Sequence, residues 1–462
     1  MKYYDRIYGE LSFPPVIHEL LNCPGLLRLR DVRMANNQFA AFPAFSNSSR
    51  YEHSLGVCYL AGICAKALEL PEKDTIELMI ACLYHDVGTP PFAHAMEEVL
   101  QVHFGFDHED NLRQIVNGTN NTFEGNLEQV FLGGATKLRS VCHSKQGRKA
   151  GLDLTSLYRI ADIIVGKKNE RLSPLLNGNG MDLDNIDNVI RASSAMGIID
   201  AKETGLAIQL AQSFMFDEND KICHNGLYLA EIRRWQQIRD EQYTAIFDSV
   251  DDFAYQTMIK KALSLLLSEE DSTERLNKDS WKLTDASILY NYLLKNEKSK
   301  HIMHRVQLCR PFHCIGILYI KGNGVAKYIN SNISKIEDVA SEYFKGVLSI
   351  GDDDDRVKGL STNVVVANFY PDKRKRPIFT EALLMGMRVP IDEQKATPVG
   401  GALLGLFTPL HNANRKTVDL GDGKTERKMV AFKQKDITGL ITQLKEHVFQ
   451  NYDISIYGRE ST

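Results

Sequence analysis

The chain has 462 residues, a quarter of them charged, and a formal net charge of -4. That length suffices for a large core shared among two or three structural units, and the charge balance excludes the global basic field of a dedicated nucleic-acid binder. Eight cysteines without a CxxC pair exclude a stapled scaffold and predict a reducing, cytoplasmic setting.

The first residues, "MKYYDRIYGEL", lack the basic-then-apolar order of a signal peptide. No stretch approaches the roughly 18 uncharged apolar residues of a membrane span, so no membrane is expected as a partner. Residues 53–68, "HSLGVCYLAGICAKAL", and 74–84, "DTIELMIACLY", carry apolar side chains at helical spacing, the second nearly all round. Further helical patterns occupy 152–166, 184–196, 227–248, 252–268 and 284–296. From about residue 312 the pattern changes. "FHCIGILYI", "NVVVANFY" and "MVAFK" are β-branched and aromatic, and the helical stretch "KIEDVASEYFKGVL" lies between the first two. The expected fold is mostly α, with a helical core over residues 1–311 and a smaller α+β lobe over 312–462.

Five of the thirteen histidines fall between residues 53 and 108, close to Asp86, Glu97, Glu98 and Asp107. A single histidine on an apolar helix is usually a satisfied core residue. In "LYHDVGTPPFAH" (83–94), however, His85 and Asp86 stand together where an apolar helix meets glycine and two prolines. Burying two such neighbours is costly without a shared partner, and a divalent cation is one. Imidazole nitrogen with carboxylate oxygen suits Mn, Fe, Ni, Zn or Mg. His53 and a distant carboxylate, Asp184, would complete the set. In "MDLDNIDNVIRA" (181–192), Asp184, Asp187, Asn188 and Arg191 form a polar stripe opposite Ile186, Val189 and Ile190. The stripe reads either as a surface facing a metal and an anion together or as a solvated face with an Asp cap.

The ordered series "SRYEHSLGV" (49–57), "HDVGTPPFAHAME" (85–97), "DHED" (107–110) and "NGMDLDNID" (179–187) resembles the HD-domain phosphohydrolases, within them the deoxynucleoside triphosphate triphosphohydrolase branch. "DRIYGEL", "LLRLRDV", "FPAF", "AYQ" and "KLTDASILYNYLL" match the same branch in order, so the likeness covers roughly residues 5–315. The resemblance implies four metal ligands at His53, His85, Asp86 and Asp184. It implies a phosphate-binding Arg50, an acid/base group of His94, Glu97 and His108, and a pocket-lining Tyr255. It also implies hydrolysis of a dNTP at the α-phosphate, a homo-oligomer and a nucleotide effector.

Four positions depart from the branch, and near Phe247 no arginine matches the one that it places at the γ-phosphate. Thr89 stands where members carry histidine or asparagine. Asn188 and Ala192 occupy the places of a tyrosine and an aspartate at the sugar, with Asn188 kept as a substrate-binding candidate, and Met34 replaces a glutamine. Sugar discrimination is therefore expected to differ, because excluding a hydroxyl needs a close wall or an unsatisfied polar group. Two alternatives follow: an HD-fold nucleotide sensor or scaffold without turnover, and a phosphohydrolase acting on another nucleotide phosphoester. "GDDDDR" (351–356) reads as an acidic surface loop and "DKRKRP" (372–377) as a solvated loop. "PVGGALLGLF" (398–407) lacks phosphate-loop order.

Overall fold

The computed structural model describes residues 2–35, 42–117, 137–178, 181–267, 276–322, 324–348, 365–371, 388–390, 401–409, 415–419, 425–429 and 434–457. "GDDDDR" and all of "DKRKRP" lie outside them. Compactness divides the chain into two units: residues 1–246, 275–288 and 377–396 form the first, and 247–274, 289–376 and 397–462 the second. The molecule is mostly α, with one small four-stranded sheet in the second unit. No described helix is long and apolar enough to cross a membrane.

The first unit opens with a hairpin of β1 (Tyr3–Asp5) and β2 (Gly9–Leu11). Its longer helices are α1 (Arg50–Ala67), α2 (Glu72–Tyr84), α3 (His94–Phe104), α4 (His108–Asn117), α5 (Leu154–Ile164), α6 (Leu183–Met196) and all but the last two residues of α7 (Leu229–Asp248). Helix α1 starts at a capping box: Glu52 N–H donates to Ser49 Oγ, and the Ser49 N–H donates to the Glu52 carboxylate. Every residue of α2 from Ile76 to Tyr84 is buried, the apolar side chains in the core and Glu77 paired with Arg159 of α5. The helix ends at His85, and Pro90 and Pro91 bar its continuation. Helix α6 is capped by Asp182, which accepts from the Asn185 N–H at 2.8 Å, and is closed by Gly197 in the left-handed region. Strands β3 (Phe214–Phe216) and β4 (Ile222–Asn225) pair antiparallel, and the segment Arg388–Pro390 adds to β4.

The second unit contains α8 (Val250–Leu267) and an antiparallel sheet of β5 (His313–Lys321), β6 (Val366–Pro371), β7 (Gly401–Thr408) and β8 (Asp453–Ile456), in the order β8-β5-β7-β6. β7 is a central strand, which uses the apolar "GALLGLF" run for packing. One face of the sheet is covered by α9 (Val325–Leu348) and α10 (Gln434–His447), and Leu318, Ile329, Ile336, Leu404, Leu444 and Phe449 fill the layer between. "MVAFK" falls largely outside the described residues, with only Met429 at the end of a short strand.

Candidate metal centre

Four side chains from three places in the first unit converge. His53 projects from the first turn of α1, His85 and Asp86 from the turn after α2, and Asp184 from the first turn of α6. His53 Nε2 lies 2.8 Å from Asp184 Oδ1 and 3.3 Å from His85 Nε2. His85 Nε2 is 3.6 Å from Asp86 Oδ2 and 3.7 Å from Asp184 Oδ1. One ligand atom from each of His53, His85 and Asp86 lies within 4.8 Å of the others.

The outer ring nitrogens each hold one proton, which leaves Nε2 as the nitrogen available to a metal. The Cys82 carbonyl, 2.7 Å from His85 Nδ1, can only accept, so Nδ1 carries a proton. His53 Nδ1 lies 2.7 Å from the buried carboxylate of Asp187 and donates to it. With both outer nitrogens protonated, each imidazole in its neutral form turns an Nε2 lone pair toward the other and toward two carboxylates. Such a cluster needs positive charge at its centre, from ring protons or from a cation, and nitrogen with oxygen at this number suits a divalent first-row metal or Mg. The donor set therefore fits a metal ion, with His53, His85, Asp86 and Asp184 as the residues that would hold it.

With no cation between them, the carboxylates instead favour protons on these rings, which a bound ion would displace. Burial alone would lower His53, but Asp184 and Asp187 outweigh it and raise its pKa to about 9. His85 is raised as well, its burial overcome by Asp86 and Asp184. Burial pushes the Asp86 carboxyl up, yet Arg50, His85 and His53 together hold it well below the usual carboxylate range. The neighbouring Asp182 is pushed up by burial and by Asp184.

Three supports keep the turn after α2 in place. Arg50 Nη1 donates to both oxygens of Asp86 at 2.7 and 2.8 Å, and the Thr89 hydroxyl donates to Asp86 Oδ1 at 2.9 Å. The fully buried Arg28 donates to four carbonyls, those of Val87, Thr89, Trp281 and Leu283. Asp285 accepts from the N–H groups of Phe92 and Arg33. Phe92 and Ala93 both have positive φ, so the turn is held in a conformation that L residues rarely adopt.

The other sequence candidates are placed as follows. Arg50 is buried against Asp86, and its Nε has no hydrogen-bond partner among the described residues. His94 begins α3, is largely exposed, and its Nδ1 lies 3.2 Å from Glu97 Oε2. His108 begins α4, and its side chain lies outside the described residues. Asn188, half-buried, stands one turn after Asp184 on α6. Tyr255 is buried on α8, in the second unit, and burial lifts its hydroxyl to about 12. Asp187, Thr89, Arg28 and Asp285 carry positioning roles at the centre that the sequence alone does not assign. The polar stripe contained Asp187, and "LLRLRDV" and "KLTDA" contained Arg28 and Asp285, so the signal was present without its target.

Residues 50–130 match the HD domain family. Over 100 residues the chain is 36% identical to the deoxynucleoside triphosphate triphosphohydrolase SAMHD1 of Mus musculus, covering 20% of this chain and 15% of that protein. It is 27% identical over 229 residues to the SAMHD1 homolog of Dictyostelium discoideum, covering 47% and 40%. An uncharacterized protein of Methanocaldococcus jannaschii, MJ1154, is 23% identical over 338 residues, covering 72% and 63%. The chain thus spans less than half the length of the two triphosphohydrolases. A hypothetical protein from Aquifex aeolicus of known crystal structure shares the fold, with a TM-score of 0.59 at 17% identity over 88% of this chain and 96% of that one.

Proposed function

The chain is an HD-domain protein, and on that premise we propose that its four-ligand centre is the active site of a metal-dependent phosphohydrolase. Its substrate would be a deoxynucleoside triphosphate, and its products a deoxynucleoside and inorganic triphosphate. The observation that carries this reading is the convergence of His53, His85, Asp86 and Asp184, two imidazole nitrogens and two carboxylates within a few ångströms of one another. A divalent ion supplies Lewis acidity toward a phosphoryl oxygen and acidifies water.

The protein's own groups supply the rest. Arg50, with a buried donor left over, supports binding of an anion beside Asp86. Water adds to the α-phosphorus, the bond to the nucleoside 5′ oxygen breaks, and His94 or His108 returns a proton to that oxygen, with Glu97 setting the basicity of its partner. Asn188 in place of a bulky sugar contact supports a looser choice between ribose and deoxyribose. A homo-oligomer and a nucleotide effector belong to the same proposal.

The test is to incubate Mn- or Mg-loaded protein with each dNTP and NTP, alone and in pairs, and to separate the products by chromatography. Nucleoside plus triphosphate is expected from at least one dNTP, and neither from the His85→Ala, Asp86→Ala double variant. Monophosphate or pyrophosphate would overturn the bond assignment. Nucleotide binding with no product across the panel would replace the enzyme with a sensor.

A further inference from the structure

The metal centre has a second layer that reaches the amino terminus. Asp187, fully buried on α6, receives four donors on two oxygens. His53 Nδ1 and Arg191 Nε meet Oδ2 at 2.7 and 2.8 Å, and Arg191 Nη2 and the Tyr8 hydroxyl meet Oδ1 at 2.9 and 2.7 Å. Arg191 in turn donates from Nη1 to Asp5 Oδ2 at 2.8 Å. The other oxygen of Asp5 shapes the hairpin turn by accepting from the N–H groups of Ile7 and Tyr8 at 2.7 and 3.2 Å. One carboxylate thus both presents Tyr8 and ties Arg191.

Other contacts seat the hairpin. Arg6 donates to Ser48 Oγ at 2.8 Å, and the Tyr8 ring packs against Tyr59 of α1 with centroids 5.4 Å apart. Gly56, one turn after His53, leaves the space that the Asp187–Arg191 pair occupies.

We infer that Asp187 and Tyr8 are positioning residues of the metal centre, so that the N-terminal hairpin sets the orientation of the His53 ring. This rests on the metal-centre reading above. A carboxylate with all its acceptor sites filled cannot rotate, so His53 Nδ1 has one fixed target and Nε2 one fixed direction. Outer carboxylates of this kind fix the tautomer and raise the basicity of a ligand histidine. A brace that served the fold alone would not need to end on a ligand.

The test uses the full chain as wild type, Asp187→Asn and Tyr8→Phe. Affinity for Mn2+ is measured without nucleotide by competition with a chelating dye, the Co2+ form is read by its visible absorption, and metal-free melting is recorded for each. Asparagine cannot accept from all four donors, and Asp187→Asn should weaken Mn2+ binding by about 10–100-fold. Tyr8→Phe should weaken it by roughly 3-fold, the low end of a net hydrogen bond. Both should alter the Co2+ spectrum. Should Asp187→Asn fail to fold, Tyr8→Phe alone decides. Unchanged affinity and spectrum with only a lower melting temperature would overturn the inference while leaving the centre intact. A wild type that binds neither metal would overturn both.

Discussion

Gly56→Ala sets two physical effects against each other. The residue lies inside α1, where replacing glycine by alanine favours the helix by about 1 kcal/mol. A Cβ there would overlap Asp187 Oδ1 and Arg191 Nη2 and stand 2.9 Å from Asp187 Cγ. Those atoms belong to a saturated, buried ion pair with little room to retreat. Overpacking of this kind costs roughly 1–3 kcal/mol, and parting a buried pair costs about 3–5 kcal/mol. Since the displaced side chains can yield in part, the net loss should be about 1–4 kcal/mol. At roughly 2 °C per kcal/mol for a unit of this size, the melting temperature should fall by about 2–8 °C. Calorimetry of the metal-free protein reads the shift, and a Mn2+ titration reads the accompanying loss of affinity through His53. A melting temperature unchanged or raised would mean that helix propensity prevails and that α1 and α6 are less tightly apposed than the geometry states.

Metal should stabilise the fold: at 100 times the dissociation constant Mn2+ adds about 2.7 kcal/mol, visible as a higher melting temperature that EDTA reverses, and an indifferent melt would count against the centre. Asp184→Ala should remove most of that increment. The buried His224 gives a pH dependence of its own, because burial lowers its pKa to about 3 while the unfolded chain titrates near ~6.5. Below pH ~6.5 the unfolded chain takes up a proton that the native ring refuses, so stability should fall by about 1.4 kcal/mol per pH unit toward pH 3. His224→Gln should remove this contribution in urea titrations between pH 6 and 4; parallel slopes for the two proteins would refute the assignment.

The helical elements were legible because apolar spacing reports burial directly: 53–68, 74–84, 184–196 and 252–268 are observed as Arg50–Ala67, Glu72–Tyr84, Leu183–Met196 and Val250–Leu267. The stretch 284–296 reads as one helix but is a short α-turn, Asp285–Ile288, followed by the π-turn Leu289–Leu293. Side-chain periodicity over a single turn does not separate i+4 from i+5 bonding. At the site, His85 and Asp86 were conspicuous as ionisable neighbours at a helix end. The division of the α6 stripe was not, because it depends on partners far away in the chain. Asp184 faces the histidines, whereas Asp187 and Arg191 also meet Tyr8 and Asp5. Arg28 and Asp285 escaped for a related reason, since their targets are main-chain atoms and no side-chain pattern records those.

The centre joins His53 to His85 across 32 residues and to Asp184 across 131. Closing the longer loop carries an entropy cost that only tertiary packing of α1 against α6 repays, so the site cannot template early collapse. During synthesis, His53, His85 and Asp86 are exposed to cellular metals long before Asp184 leaves the ribosome. The trio lacks its fourth ligand, the Asp184 carboxylate, which arrives only together with the packing of α6. The proposed ion could therefore meet its full ligand set only once α6 has packed against α1.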